Sequence, residues 1–184
     1  MDWILGWLQT QVPISHIWLF VLYSILSIFV LNFVTILILP KHFTDPPPFD
    51  PSDLNPGSYL NFNTPRIGVP VLTWEFPGQV FYLTVMEELV FRFVLLGGAV
   101  QIWGATWPVL LVMVASSIVF GLMHGGPVNV LLQGVSGIVF CIVFLKCGGF
   151  DQNFLMAIMI AAITHCIFNS IVAFFNLISG HPYL

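Results

Sequence analysis

The sequence predicts an all-α fold, a polytopic transmembrane bundle of about five spanning helices in which the last four form a core. Hydrophobic residues make up 58% of the 184-residue chain, charged residues make up 7%, and the mean hydropathy is +0.99. A soluble domain carries about 25% charged residues, so most of this surface must face lipid. Inside a bilayer every backbone polar group needs a partner within its own segment, which favours helices.

The N-terminal region, residues 1–39, is predicted to be a transmembrane helix. Its apolar segment runs from Ile14 to Leu39, and Trp3, Trp7 and Trp18 lie where a membrane interface favours aromatic side chains. This segment is too long for the apolar core of a signal peptide, and no basic residue precedes it. We therefore expect the helix to be retained in the mature protein.

Residues 40–76 are predicted to form a proline-rich connector outside the membrane. Nine of the 13 prolines lie between Pro40 and Pro77, and proline interrupts helical hydrogen bonding. Lys41 and Arg66 lie on the connector's side of the membrane, whereas Lys146 is expected on the other side. The positive-inside rule then favours a cytoplasmic connector and a site cavity that opens to the cytoplasm.

The remaining segment, residues 77–184, is predicted to hold four further spans. Each contains about 20 residues, enough to cross an apolar layer of about 30 Å. Short breaks rich in glycine separate the spans, so the four helices should form an antiparallel bundle. The predicted spans are roughly Gly78 to Gln101, Ala105 to His124, Pro127 to Lys146, and Asn153 to Ile178.

The second predicted span carries three charged residues, Glu87, Glu88 and Arg92. An ionisable side chain at the centre of a spanning helix costs about 2.5–3.5 kcal/mol on insertion scales, so each is a functional candidate. Glu88 and Arg92 are four residues apart and share one helix face, where they can pair. Glu87 lies about 100° around the helix from Glu88 and is less easily compensated. The alternative is a structural Glu–Arg pair that only locks the bundle.

Two further polar clusters lie on the third and fifth spans. Phe120 and His124 share a helix face directly before a glycine-rich break, and His165 and Asn169 share a face near the middle of the last span. Taken separately, these residues could be interfacial or could join helices by hydrogen bonds. Taken together with Glu87, they provide groups that can deprotonate water and stabilise an oxyanion during amide hydrolysis.

In order along the chain, the three clusters resemble the motifs of the type II CAAX prenyl endopeptidases, part of the CPBP or Abi family of intramembrane proteases. The matching motifs are Glu87-Glu88-x-x-x-Arg92, Phe120-x-x-x-His124 and His165-x-x-x-Asn169. The resemblance covers roughly residues 77–178 and implies a CPBP-like catalytic bundle. It implies an endopeptidase whose substrate is a membrane protein or peptide, prenylated in the best-known branch of the family.

The resemblance also implies a role for each motif residue. Glu87 and His124 would activate water, and His165 and Asn169 would form the oxyanion hole. The residues expected to support the site structurally are Glu88, Arg92 and Phe120.

Alternatives to this interpretation remain open. Glu87, His124 and His165 could instead bind zinc, although no cofactor is expected for the glutamate mechanism and no HExxH motif is present. A non-catalytic immunity or scaffold protein and a transporter are further alternatives. The four Lys and Arg residues are scattered, which argues against a nucleic-acid partner; the bilayer is the expected environment.

Overall fold

The computed structural model describes residues 2–39, 75–124 and 127–179, so the predicted connector, apart from its last two residues, lies outside the described residues. Within these ranges all regular structure is helical and no strand occurs, which confirms the all-α membrane bundle. The α-helices of the described residues are α1 (Asp2–Gln9), α2 (Ile17–Ile38), α3 (Glu75–Glu88), α4 (Gly98–Trp103), α5 (Trp107–Met123), α6 (Pro127–Phe144) and α7 (Phe154–Ser179).

In the described part of the chain, two stretches of π-helix extend the α-helices, and neither was predicted from the sequence. The segment Leu89–Gly97 joins α3 to α4, so the predicted span from 78 to 101 is a helix of mixed type. A second π segment, Leu145–Gly149, follows α6. π-Helical turns are rare and occur frequently near functional sites. Here the first of them begins directly after Glu88 and contains Arg92.

Among the residues that the structure describes, three helical segments are long and apolar enough to cross a membrane, namely Ile14–Ile38, Val128–Gly149 and Phe154–Phe175. The 17-residue helix α5 is apolar but shorter. Large apolar side chains are widely exposed on α2, including Leu22, Phe33 and Leu37. An apolar surface of this extent is expected against lipid rather than water. The chain is therefore a membrane protein, and the count of five spans stays a prediction.

Helices α5 and α6 pack with their backbones in close contact. A Cβ atom on Gly121 would lie 2.5 Å from Cα of Val130 and 2.6 Å from the carbonyl oxygen of Asn129. One on Gly134 would lie 3.0 Å from the carbonyl oxygen of Ser117. Small residues at a membrane helix interface permit this approach. The last turn of α5 is thereby held against the first turn of α6.

Lys146 joins α1 to the end of α6 through hydrogen bonds. Its Nζ donates hydrogen bonds to the carbonyl oxygens of Trp7 at 2.7 Å and Thr10 at 2.8 Å, and to Oγ1 of Thr10 at 3.0 Å. The same ammonium lies 4.2 Å from the centre of the Trp7 ring, which adds a cation–π contact. Together these contacts hold the N-terminal helix at the end of the bundle where α6 finishes.

Candidate active site

The two consecutive glutamates at the end of α3 lie in different surroundings. The side chain of Glu88 is 0% exposed, whereas that of Glu87 is 32% exposed. Successive helical residues are separated by about 100° around the helix axis, so one carboxylate can point into the bundle while its neighbour faces an opening. The structure thus agrees with the predicted difference between Glu88 and Glu87.

Arg92 is buried and interacts with Glu88 one turn before it. Its Nε lies 3.3 Å from Oε2 of Glu88, but neither atom has an aligned hydrogen bond in the described part of the chain. Its Nη2 donates to the carbonyl oxygen of Gly137 at 3.2 Å. The guanidinium also lies 4.9 Å from the ring centre of Phe120 and 5.5 Å from that of Phe140. The position of Arg92 is therefore fixed by charge attraction to Glu88, by contact with two aromatic rings and by one hydrogen bond to a backbone carbonyl.

His165 connects the two glutamates. Its Nδ1 donates a hydrogen bond to Oε1 of Glu88 at 2.8 Å, and its Nε2 lies 3.7 Å from Oε2 of Glu87. The ring stacks on Phe140 with 4.3 Å between centres, and the residue is 2% exposed. Because Nδ1 and the ring plane are both fixed, Nε2 has a set direction towards Glu87. A carboxylate that orients an imidazole in this way is a common device in catalytic sites.

His124 approaches Glu87 from the opposite side. It caps the end of α5, where its Nδ1 donates to the carbonyl oxygen of Phe120 at 2.7 Å. Its Nε2 lies 3.8 Å from Oε1 of Glu87, and its side chain is 29% exposed. With the hydrogen on Nδ1, the neutral ring presents the Nε2 lone pair to Glu87 and the opening. The predicted pairing of Phe120 with His124 thus consists of a backbone hydrogen bond and a ring contact with 4.4 Å between centres.

Asn169 lies one turn beyond His165 on α7. Its Nδ2 donates to Oγ1 of Thr84 at 3.5 Å, at the limit for a hydrogen bond. Thr84 is buried and lies one turn before Glu88 on α3. The carboxamide has a second N–H, which remains available for another acceptor. This contact places Asn169 beside the same face of α3 that carries the glutamates.

All predicted site residues belong to one region, where α3, α5, α6 and α7 meet. The structure adds three neighbours that the sequence analysis missed: Thr84, Gly137 and Phe140. Thr84 could have been found as a polar residue one turn before Glu88, whereas an apolar ring and a backbone carbonyl give no signal in a single sequence. The contact between Glu88 and His165 was missed as well, since it depends on how α3 and α7 are rotated against each other.

An apolar cavity of about 290 Å³ lies between α2, α6 and α7. Phe168 lines it, and the ring of Phe168 packs 6.1 Å from that of Phe140, which stacks on His165. The cavity is therefore separated from the polar cluster by two aromatic side chains.

Glu87, His124 and His165 are the residues of the zinc alternative, and all three lie in the described ranges, 2–39, 75–124 and 127–179. These ranges contain no group of three or more His, Cys, Asp or Glu residues placed to hold a metal ion. Glu87, His124 and His165 converge, with the carboxylate between two imidazoles that each donate a hydrogen bond through Nδ1 and turn Nε2 towards Glu87.

The apolar helices enclose a buried cluster of charged residues, and one carboxylate, that of Glu87, is partly exposed. These features define the chain as a membrane protein with a polar site of the kind that enzymes have. The sequence model of the family described as "Type II CAAX prenyl endopeptidase Rce1-like" matches residues 69–171, which is 103 of the 184 residues. The chain belongs to this family, which confirms the resemblance seen in its three motifs. Searches of curated proteins and of solved structures gave no match.

Proposed function

We propose that the chain is an intramembrane, glutamate-dependent endopeptidase that hydrolyses a peptide bond of a membrane-bound, prenylated CAAX protein or peptide. Family membership supports a prenyl endopeptidase-like protease in general. The observation that supports the specific mechanism is the position of Glu87, with the Nε2 atoms of His124 and His165 at 3.8 and 3.7 Å from its two oxygens. Neither imidazole hydrogen bonds Glu87 directly at these distances.

In the proposed mechanism, a water molecule lies between Glu87 and His124. The Nε2 lone pair of His124 accepts a hydrogen bond from one hydrogen of this water. The carboxylate of Glu87 takes the other hydrogen as a proton while the water oxygen attacks the scissile carbonyl carbon. General-base catalysis of this kind contributes about 10²–10⁴-fold to a rate. The proton then passes from Glu87 to the leaving amine as the carbon–nitrogen bond breaks.

His165 and Asn169 would stabilise the oxyanion of the tetrahedral intermediate. Asn169 retains an N–H beside the one directed at Thr84. His165 can donate from Nε2 when both its ring nitrogens carry hydrogen, because Nδ1 already donates to Glu88. Donors held in fixed positions favour the transition state without reorganisation, and each is worth about 10²–10³-fold in kcat.

The direct test is the Glu87→Gln variant, purified in detergent and incubated with a farnesylated CAAX peptide. We expect the wild type to release the C-terminal three residues and the variant to release none, with unchanged circular dichroism. The product peptides would be measured by mass spectrometry. Cleavage by purified Glu87→Gln at the wild-type rate would exclude the glutamate mechanism.

Two further arms of the experiment separate the alternatives. An unmodified CAAX peptide tests substrate choice, and we expect slower cleavage than of the farnesylated peptide. Treatment of the wild type with o-phenanthroline tests for zinc, and we expect no loss of activity. Inhibition by the chelator that added zinc reverses would favour the metalloprotease instead, and a wild type that cuts neither peptide would contradict the proposed substrate.

A further inference from the structure

The end of α5 carries a hydrogen bond that lies outside all three motifs. Nδ2 of Asn129, in the first turn of α6, donates to the carbonyl oxygen of His124 at 2.6 Å. The last four carbonyl groups of a helix have no partner within the helix, and a side-chain donor is one way to satisfy them. Asn129 provides that donor at the residue whose ring faces Glu87.

The position of Asn129 is itself fixed by close backbone packing. A Cβ on Gly121 would lie 2.6 Å from the carbonyl oxygen of Asn129, so only glycine permits α6 to begin this close to α5. Asn129 thus belongs to a close backbone contact between two helices. Because the helices are this near, the short side chain of Asn129 reaches the end of α5.

The direction of the His124 ring depends on the backbone that Asn129 holds. The ring bonds to Phe120 through Nδ1 at 2.7 Å, one turn back, and this bond requires a regular last turn of α5. His124 already departs from helical geometry, with φ −89° and ψ 11°. If the last turn of α5 frayed, Nδ1 of His124 would lose its hydrogen bond to the carbonyl oxygen of Phe120. Nε2 would then no longer be directed at Glu87.

We propose that Asn129 is a positioning residue for His124, holding the carbonyl group of His124 so that its Nε2 faces the water that Glu87 activates. This inference rests on the proposed function for its kinetic consequence. Its structural part, that Asn129 fixes the ring of His124, stands independently of which reaction the site performs.

The kinetic test compares Asn129→Leu with the wild type on the farnesylated CAAX peptide. A displacement of about 1 Å in a catalytic group can cost about 10²-fold, so we expect kcat to fall by about that factor while KM stays unchanged. Asn129→Gln keeps an amide donor and should recover part of kcat. The matched control is Gln133→Leu, one turn further along α6 and on the side that lines the cavity against α2.

A second measurement does not depend on activity. Solid-state NMR of the protein labelled with ¹⁵N-histidine reports which ring nitrogen carries hydrogen, and the His124 signals are identified by their loss in His124→Gln. We expect hydrogen on Nδ1 of His124 in the wild type and in Gln133→Leu, and a mixture of both forms in Asn129→Leu. Unchanged His124 signals in Asn129→Leu would overturn the inference, even if no peptide is cleaved. Changed signals with no cleavage by the wild type would instead reject the proposed function alone.

Discussion

At the scale of single residues, two adjacent glutamates differ because of what surrounds them. Glu88 is fully buried and shares its two oxygens between Arg92 and His165. Glu87 is partly exposed and has no contact shorter than 3.7 Å to either imidazole. A buried carboxylate with two cationic or donor neighbours is suited to holding other groups in place. A carboxylate with free lone pairs at an opening is suited to accepting a proton.

This difference predicts unequal effects on stability of the same substitution at the two positions. Glu88→Gln removes the charge that compensates buried Arg92, and breaking a buried pair by removing one partner costs about 3–5 kcal/mol. Glu87→Gln leaves that pair intact. We therefore expect Glu88→Gln to lower the thermal midpoint in detergent well below that of Glu87→Gln, as measured by circular dichroism. Equal midpoints for the two variants would argue against this division of roles.

The sequence predicted part of this site and could not predict the rest. The pairing of Glu88 with Arg92 follows from their spacing of four residues on one helix, and the structure confirms it. The hydrogen bond from His165 to Glu88 joins residues 77 positions apart. Spacing within a helix gives no information about such a contact, because it depends on the rotation and depth of α7 against α3.

At the scale of helices, the close contact between α5 and α6 sets the position of His124. Gly121 lies three residues before His124, at the point where the two backbones are nearest. The five predicted spans agree with the observed helical segments to within about three residues at each end, since apolar runs and glycine breaks mark them, whereas α1 (Asp2–Gln9) was not predicted as a separate helix. The π-helical stretch over 89–97 was not predicted, because hydrogen bonds of the i→i+5 type leave no distinct pattern in an apolar sequence.

Gly121→Ala should separate these two helices. The added methyl group would meet backbone atoms of Val130 and Asn129, which cannot rotate away, so α6 must shift. Overpacking of this kind costs about 1–3 kcal/mol, and we also expect kcat to fall because His124 moves with the end of α5. Unfolding in detergent and peptide cleavage would both be measured.

The matched control for this substitution is Gly98→Ala. A Cβ at Gly98 meets nothing within 4 Å, and alanine is favoured over glycine in a helix by about 1 kcal/mol. We expect this variant to be as stable as the wild type or more stable. A Gly121→Ala protein that matched it in both stability and kcat would show that the two backbones can separate without cost.

At the scale of the whole molecule, Lys146 and His124 lie at opposite ends of the bundle. Lys146 and α1 lie at one end, where α6 finishes and α7 begins after Gln152 and Asn153. His124 lies at the other end, where α5 finishes and α6 begins. His124 therefore lies at the end from which α2 leads towards the connector. Opposed chain directions of α5, α6 and α7 produce this arrangement, as the short predicted breaks indicated.

The number of spans can be tested by determining on which side of the membrane particular hydrophilic residues lie. Between the connector and Asp151 the chain runs through α3 with its π-helical extension, then α5, then α6. Three crossings place these two points on opposite sides of the membrane. Helix α5 has 17 residues. At 1.5 Å per residue it is about 26 Å long, slightly short of an apolar layer of about 30 Å, so this crossing is the one most in need of a test.

We expect single cysteines at Ser52 and Asp151 to react from opposite sides with a membrane-impermeant maleimide. The experiment uses sealed vesicles and a chain in which Cys141, Cys147 and Cys166 are replaced by alanine, and retained peptide cleavage serves as the control for folding. With the connector cytoplasmic, as its two cations favour, Ser52→Cys should react in inside-out vesicles and Asp151→Cys in right-side-out vesicles. Labelling of both from one side would mean an even number of crossings between them, and the five-span arrangement would then be wrong.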